Sequence, residues 1–126
     1  MKILIYGANE MASAITTEFF EDNDVIIIDP NQKQLDNFSR FDVGLICADM
    51  LNIETLNNSD IKNADVFIAC SNNDESNIIA CLMSKQVTNA QTICFVSKKE
   101  SLESLNSLRE ERKSSYAQAL EIVIWP

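Results

Sequence analysis

The residues best placed to do chemistry stand at the start of the chain, where Met1-Lys2-Ile3-Leu4-Ile5-Tyr6 runs into Gly7-Ala8-Asn9-Glu10-Met11-Ala12. An apolar strand entering such a turn has the outline of a dinucleotide fingerprint. Its first glycine makes the strand-to-helix turn, its second lets the backbone approach a pyrophosphate and its third lets the helix pack on the sheet. Gly7 meets the first need and Ala12 the third, while Asn9 fills the second with a side chain. The helix that follows offers orphan N–H groups and partial positive charge, which suits a phosphate. Two readings of Gly7 stay open, a phosphate cradle or a turn alone. At Asn9 an amide occupies space the pyrophosphate would claim, yet an amide is also a donor for a phosphate oxygen.

Asp29 lies 22 positions after Gly7 and closes the next β-branched run, Val25-Ile26-Ile27-Ile28. That spacing suits a carboxylate accepting hydrogen bonds from a ribose 2′-hydroxyl, and it favours an unphosphorylated ribose. Asp29 also precedes Pro30, so it reads equally as the cap of a helix with proline at its first position. Asp49 and Ser71 fall just past the third and fourth strand-like runs, at the strand ends where ligands of open α/β sheets bind. Each is also an ordinary loop or cap residue. Asp74 and Glu75 are explained as carboxylates in the first turn of a helix.

Other chemistries find little support. The chain has 126 residues, no histidine, and ten Lys plus Arg against nineteen Asp plus Glu, for a net charge of −9. Such a surface repels nucleic-acid phosphates and anionic lipid, and it has no basic stripe. The four cysteines, Cys47, Cys70, Cys81 and Cys94, lack C-x-x-C spacing, so they read as small buried hydrophobes rather than zinc ligands. The longest apolar runs have strand length, far below a membrane span, and Gly7 and Glu10 interrupt the N-terminal run before a signal peptide's apolar region forms. A soluble cytoplasmic domain is expected.

The elements that must hold these residues alternate short β-branched runs with helical segments. The pattern predicts strands over 2–6, 24–28, 43–47, 65–70, 92–97 and 121–125 in a doubly wound parallel α/β sheet of three layers, a single Rossmann-like domain over 1–126. Ser71-x-x-Asp74 and Asn72-x-x-Glu75 predict the start of a long helix whose apolar face is Ile78, Ile79, Leu82 and Met83. Asp29-Pro30 predicts a helix presenting Leu35 and Phe38. The segment from Lys99 to Leu120 predicts an exposed helix with a narrow stripe of Leu102, Leu105 and Leu108.

Taken together, the segments 1–12, 25–30, Cys47-Ala48-Asp49, 64–68 and the run from Ser71 to Cys81 resemble the Trk-type potassium-uptake regulatory domain, also called the RCK or KTN domain. The run from Ser71 to Cys81 is the most specific piece, similar to the family's strand-end hydroxyl followed by Asp-Glu-x-Asn and a small-residue helix. The resemblance implies binding of NAD or NADH, with ATP or ADP as alternatives, by a regulatory subunit. It further implies a homo-oligomeric assembly, held in the cytoplasm at the inner membrane by a potassium transporter or channel. Carried over by residue, it implies Gly7, Ala8, Glu10 and, with them, Asn9 and Met11 at the phosphate loop, Asp29 at the ribose, Asp49 near the adenine and Ser71 as the strand-four hydroxyl. Two departures stand out. Asn9 replaces the middle glycine, and Phe95 with Ser97 occupies fifth-strand positions where relatives often carry arginines. Losing a cation in an acidic protein weakens the hold on a pyrophosphate. A ligand-free assembly module is therefore one alternative. The resemblance also implies that this domain is excised from a longer protein.

An NAD-dependent oxidoreductase is the other alternative, since the fold hosts many. Hydride transfer to or from an alcohol needs a placed acid or base. No histidine is present, and Tyr6 and Tyr116 are followed four residues later by Glu10 and Leu120 rather than lysine. No catalytic residue and no enzymatic activity are expected.

Overall fold

The computed structural model describes residues 1–50, 52–100, 103, 104, 107 and 120–124. Six strands form one sheet: β1 (Lys2–Tyr6), β2 (Asp24–Asp29), β3 (Gly44–Cys47), β4 (Val66–Ala69), β5 (Gln91–Val96) and β6 (Leu120–Ile124). All neighbours are parallel and the order is β3-β2-β1-β4-β5-β6. The near-continuous apolar sequences of β1 and β2 follow from burial on both faces, as parallel sheets require. Ile3 to Tyr6 and Val25 to Ile28 are all buried.

Helices cover both faces. On one side α1 (Glu10–Phe19) and α2 (Gln32–Asp36), with the turns beside them, pack Ala8, Ala12, Leu35 and Phe38 on Ile3, Ile5, Val25 and Ile27. On the other, α4 (Ser59–Lys62) and α5 (Asp74–Val87) contribute Ile61, Ala80 and Cys81 to a core with Leu4, Tyr6, Ile28 and Phe67, and α3 (Ile53–Leu56) lies against α4 and α5. This is the expected three-layer sheet. The order reverses between β1 and β4, so the turns that leave these strands splay apart and open a crevice at their carboxyl ends. Gly7, Asp29 and Ser71 all lie there.

Several details differ from the sequence reading. The cap of α5 is Asn73, whose side chain accepts from Ser76 N, and not Ser71 or Asn72. The cap of α2 is Asn31, which leaves Pro30 outside the helix and Asp29 free of any capping role there. The third concerns the face of α5. Its buried stripe is Asp74, Asn77, Ala80, Cys81 and Ser84, while Ile79 is 45% exposed. Small side chains let the helix lie close on the sheet, the hydrogen bonds of Asp74 and Asn77 fix it there, and Ile78, Leu82 and Met83 pack half-buried against the same core as expected. Leu35 and Phe38 are buried as expected, though Phe38 lies in the turn after α2. Cysteine burial holds for Cys70, Cys81 and Cys94, but Cys47, at the end of edge strand β3, is exposed. Leu102, Leu105 and Leu108 lie outside the described residues, whereas Lys99, Glu100, Glu103, Ser104 and Ser107 are helical and exposed.

Candidate functional site

At the crevice three turns are tied into one unit. Gly7 has φ +108°, and a Cβ there would stand 2.6 Å from Ser71 N and 2.7 Å from Ser71 Cα. Glycine is therefore demanded by the close passage of the turn after β4 as well as by the backbone conformation. Gly7 N donates to Ile28 O at 2.9 Å, which extends the sheet ladder into the loop.

Asp29 clasps two turns. Its Oδ2 accepts from Ala8 N and its Oδ1 from Asn31 N, both at 2.8 Å, so the loop after β1 is pinned to the loop after β2. A carboxylate has roughly four lone-pair sites, so two backbone donors leave acceptor capacity for a ribose hydroxyl.

Asn9 caps α1, accepting from Ala12 N at 3.1 Å. Its Nδ2 donates to Cys70 O and, at 3.4 Å, to Asn72 Oδ1. Both amide hydrogens are thus spent on the turn after β4, and the side chain straps that turn to α1. This explains Asn9 structurally without the phosphate donation that an amide in this place allows. Glu10 and Met11 open α1 and line the same crevice, Glu10 exposed and Met11 half-buried.

Ser71 is held from below. Its Oγ donates to Asn77 Oδ1 at 2.6 Å, its N–H donates to the same oxygen at 2.9 Å, and its carbonyl accepts from Asn77 Nδ2. Asn77, fully buried, also donates to Phe95 O at 2.9 Å. Asp74, 3% exposed, accepts from Ser97 N, Ser97 Oγ and Lys98 N. The Ser71-x-x-Asp74-x-x-Asn77 spacing is therefore a lock between the start of α5 and the end of β5, and the reading of Asp74 as a mere first-turn carboxylate is too weak. Phe95 packs, half-buried, with the core on the α1 face.

Asp49 is exposed and follows β3 by two residues. Tyr6, buried in the core at the end of β1, feels the charge of both Asp49 and Asp29. Burial first, then the charges of Asp49 and Asp29, raise its phenol above the ordinary value, against a hydrogen bond with Ser76. Both carboxylates therefore lie within electrostatic reach of one hydroxyl at the end of β1.

The crevice surrounded by Gly7, Ala8, Asp29, Gln34, Ser71 and Asn72 measures about 280 Å³. Recesses of about 310 and 330 Å³ adjoin it around Asn9, Glu10 and Gln34. Together they fall in the size range of small-molecule sites. Among the described residues no group of three or more potential metal ligands occurs, and no helix is long and apolar enough to cross a membrane.

The chain is similar to proteins of one family. A Trk system potassium uptake protein TrkA homologue of Pyrococcus horikoshii is 31% identical over 115 residues, 86% of this chain and 50% of that protein. The TrkA homologue of Archaeoglobus fulgidus is 33% identical over 87 residues, 69% of this chain and 20% of that one. The chain thus spans a fifth to a half of the length of these curated relatives. Among solved structures, the RCK domain of GsuK superposes with TM-score 0.75 at 17% identity, over 97% of this chain and 25% of that one. The GsuK channel bound to NAD gives 0.71 at 16% identity, over 84% and 20%. These likenesses show the fold. The model of the TrkA-N domain matches residues 3–112, and the chain belongs to the TrkA-N domain family.

Proposed function

We propose that this chain is a regulatory domain of a potassium uptake system or channel that senses NAD(H) or an adenine nucleotide in the crevice between β1 and β4. The observation that carries this reading is Asp29, a carboxylate fixed by two backbone N–H groups at the lip of the phosphate-type loop with acceptor capacity to spare. The adenosine ribose lies on Asp29. The phosphates lie along Gly7, Ala8 and the start of α1, where Glu10 and Met11 contribute backbone N–H groups. Asp49 and Tyr6 border the adenine side, and Ser71 the far side. NAD and NADH suit this arrangement better than NADP, because the Asp29 charge repels a 2′-phosphate. The names of the relatives, Trk potassium uptake proteins, and the NAD-bound channel of the same fold support the regulatory setting.

In this role the domain binds and does not catalyse. Occupancy changes how tightly the turns after β1, β2 and β4 are drawn together, and that strain passes to a membrane partner through copies of the domain assembled on its cytoplasmic side. The test is potassium flux through membranes holding the cognate transporter and the full-length protein. Flux is expected to change on addition of NADH, and Asp29→Ala is expected to abolish the response while the protein stays bound. Flux that ignores every adenine nucleotide contradicts the proposal.

A further inference from the structure

The crevice has an arm that the fingerprint does not explain, the recess of about 330 Å³ between the first turn of α1 and the turn after α2. Arg40 lines it. One terminal nitrogen donates to Asn37 O at 3.0 Å, the other to Ser13 Oγ at 3.3 Å, and the guanidinium carbon lies 4.4 Å from the centre of the Phe41 ring. Phe41 itself packs edge-on against Phe20 at 5.2 Å and beside buried Phe38 at 6.2 Å. The cation thus rests on an aromatic platform that belongs to the core, which holds its fork in one orientation. None of the ion pairs among the described residues involves Arg40. In a chain of net charge −9 this is conspicuous, because carboxylates are plentiful. A guanidinium has five N–H donors, and two bonds to neutral oxygens leave the rest of the fork for an anion. Ser13, whose oxygen accepts from Arg40, keeps its own hydroxyl proton to donate. Gln34 adds an amide to the same recess, and Glu10 is the one carboxylate on its wall.

We propose that Arg40 is the phosphate-binding cation of this domain, receiving a phosphoryl group of the nucleotide that extends into the arm between α1 and α2. The inference rests on the nucleotide reading above and refines it, since it names the residue that selects ligands carrying a phosphoryl group that AMP and NAD lack. Two sources supply that chemistry, the polyphosphate tail of ATP and the 2′-phosphate of NADP, the second against the repulsion of Asp29.

The test is calorimetric titration of the purified protein and its Arg40→Gln variant with AMP, NAD, ATP, NADP and inorganic pyrophosphate. Arg40 is exposed, so the variant is expected to keep the fold, and equal melting temperatures verify this. Arg40→Gln is expected to weaken ATP or NADP by about tenfold or more while AMP changes by less than about twofold. Loss confined to ATP identifies the tail, and loss confined to NADP identifies the 2′-phosphate. Arg40→Lys is expected to recover part of the loss, because charge returns without the fork. If the unaltered protein binds NAD and the variant binds ATP, NADP and NAD equally well, Arg40 has no such role and the nucleotide reading stands. If the protein binds pyrophosphate through Arg40 but no nucleotide, the nucleotide reading fails and the anion site stands. If it binds none of the five, both fail.

Discussion

Gly7 shows how one residue serves both fold and site. Its positive φ and the backbone of Ser71 at 2.6 Å exclude a side chain. Gly7→Ala is expected to cost at least ~2 kcal/mol from backbone strain plus displacement of the turn after β4, measured as a shift in the urea midpoint. A variant as stable as the parent would show that the turn relaxes freely. Cys70 carries a second prediction. Burial, and secondarily the charge of Asp29, push its thiol up to about 12 from an ordinary 9.0. The stability tied to keeping this thiol protonated is fully present below pH 9.0 and is lost as pH rises through about 12. Cys70→Ala is expected to flatten that part of the profile. In the native state a thiol reagent is expected to modify exposed Cys47 well before the three buried cysteines.

At the scale of elements, the lock between α5 and β5 depends on Asp74. Replacing it with alanine strands the N–H groups of Ser97 and Lys98 and removes a carboxylate from the first turn of α5. Asp74→Ala is expected to destabilise the domain by about 2–4 kcal/mol, with Asp74→Asn intermediate; equal unfolding curves for all three proteins would remove the lock from the description. The sequence made the strands legible because parallel strands buried on both faces must be apolar throughout, as Ile3 to Tyr6 and Val25 to Ile28 are. Helix starts were less legible. Ser71, Asn72 and Asn73 are all competent caps, and the choice falls on Asn73 because Ser71 is already engaged by Asn77 across the turn. Asp29, Pro30 and Asn31 pose the same problem, and there Asp29 is drawn away by Ala8 N. The buried face of α5 was legible in part, since Ile78, Leu82 and Met83 pack half-buried against the core while Ile79 is exposed. Counting bulky apolar residues finds Ile78, Ile79, Leu82 and Met83, whereas close approach selects alanine, cysteine and serine together with two hydrogen-bonded polar residues.

For the whole molecule, the candidate site was legible as a set of positions and not as a set of contacts. Gly7, Asp29 and Ser71 come together because the strand order reverses between β1 and β4, which the alternation of elements anticipates. That Asn9 is consumed by Cys70 O and Asn72, or that Arg40 turns into the crevice from the far end of α2, depends on which loops meet in space. The net charge of −9 makes any anionic ligand depend on such local placement of N–H groups and cations against a repulsive field. The decisive measurement is calorimetric titration of the purified protein, and of Asp29→Ala, with NAD, NADH, ATP and ADP. Saturable binding of at least one of these by the parent is expected. Its loss by about tenfold or more in Asp29→Ala is also expected, since the variant removes both the ribose acceptor and the clasp on Ala8. Absence of binding by all four to a folded parent would contradict nucleotide sensing at this crevice and leave the ligand-free assembly module in its place.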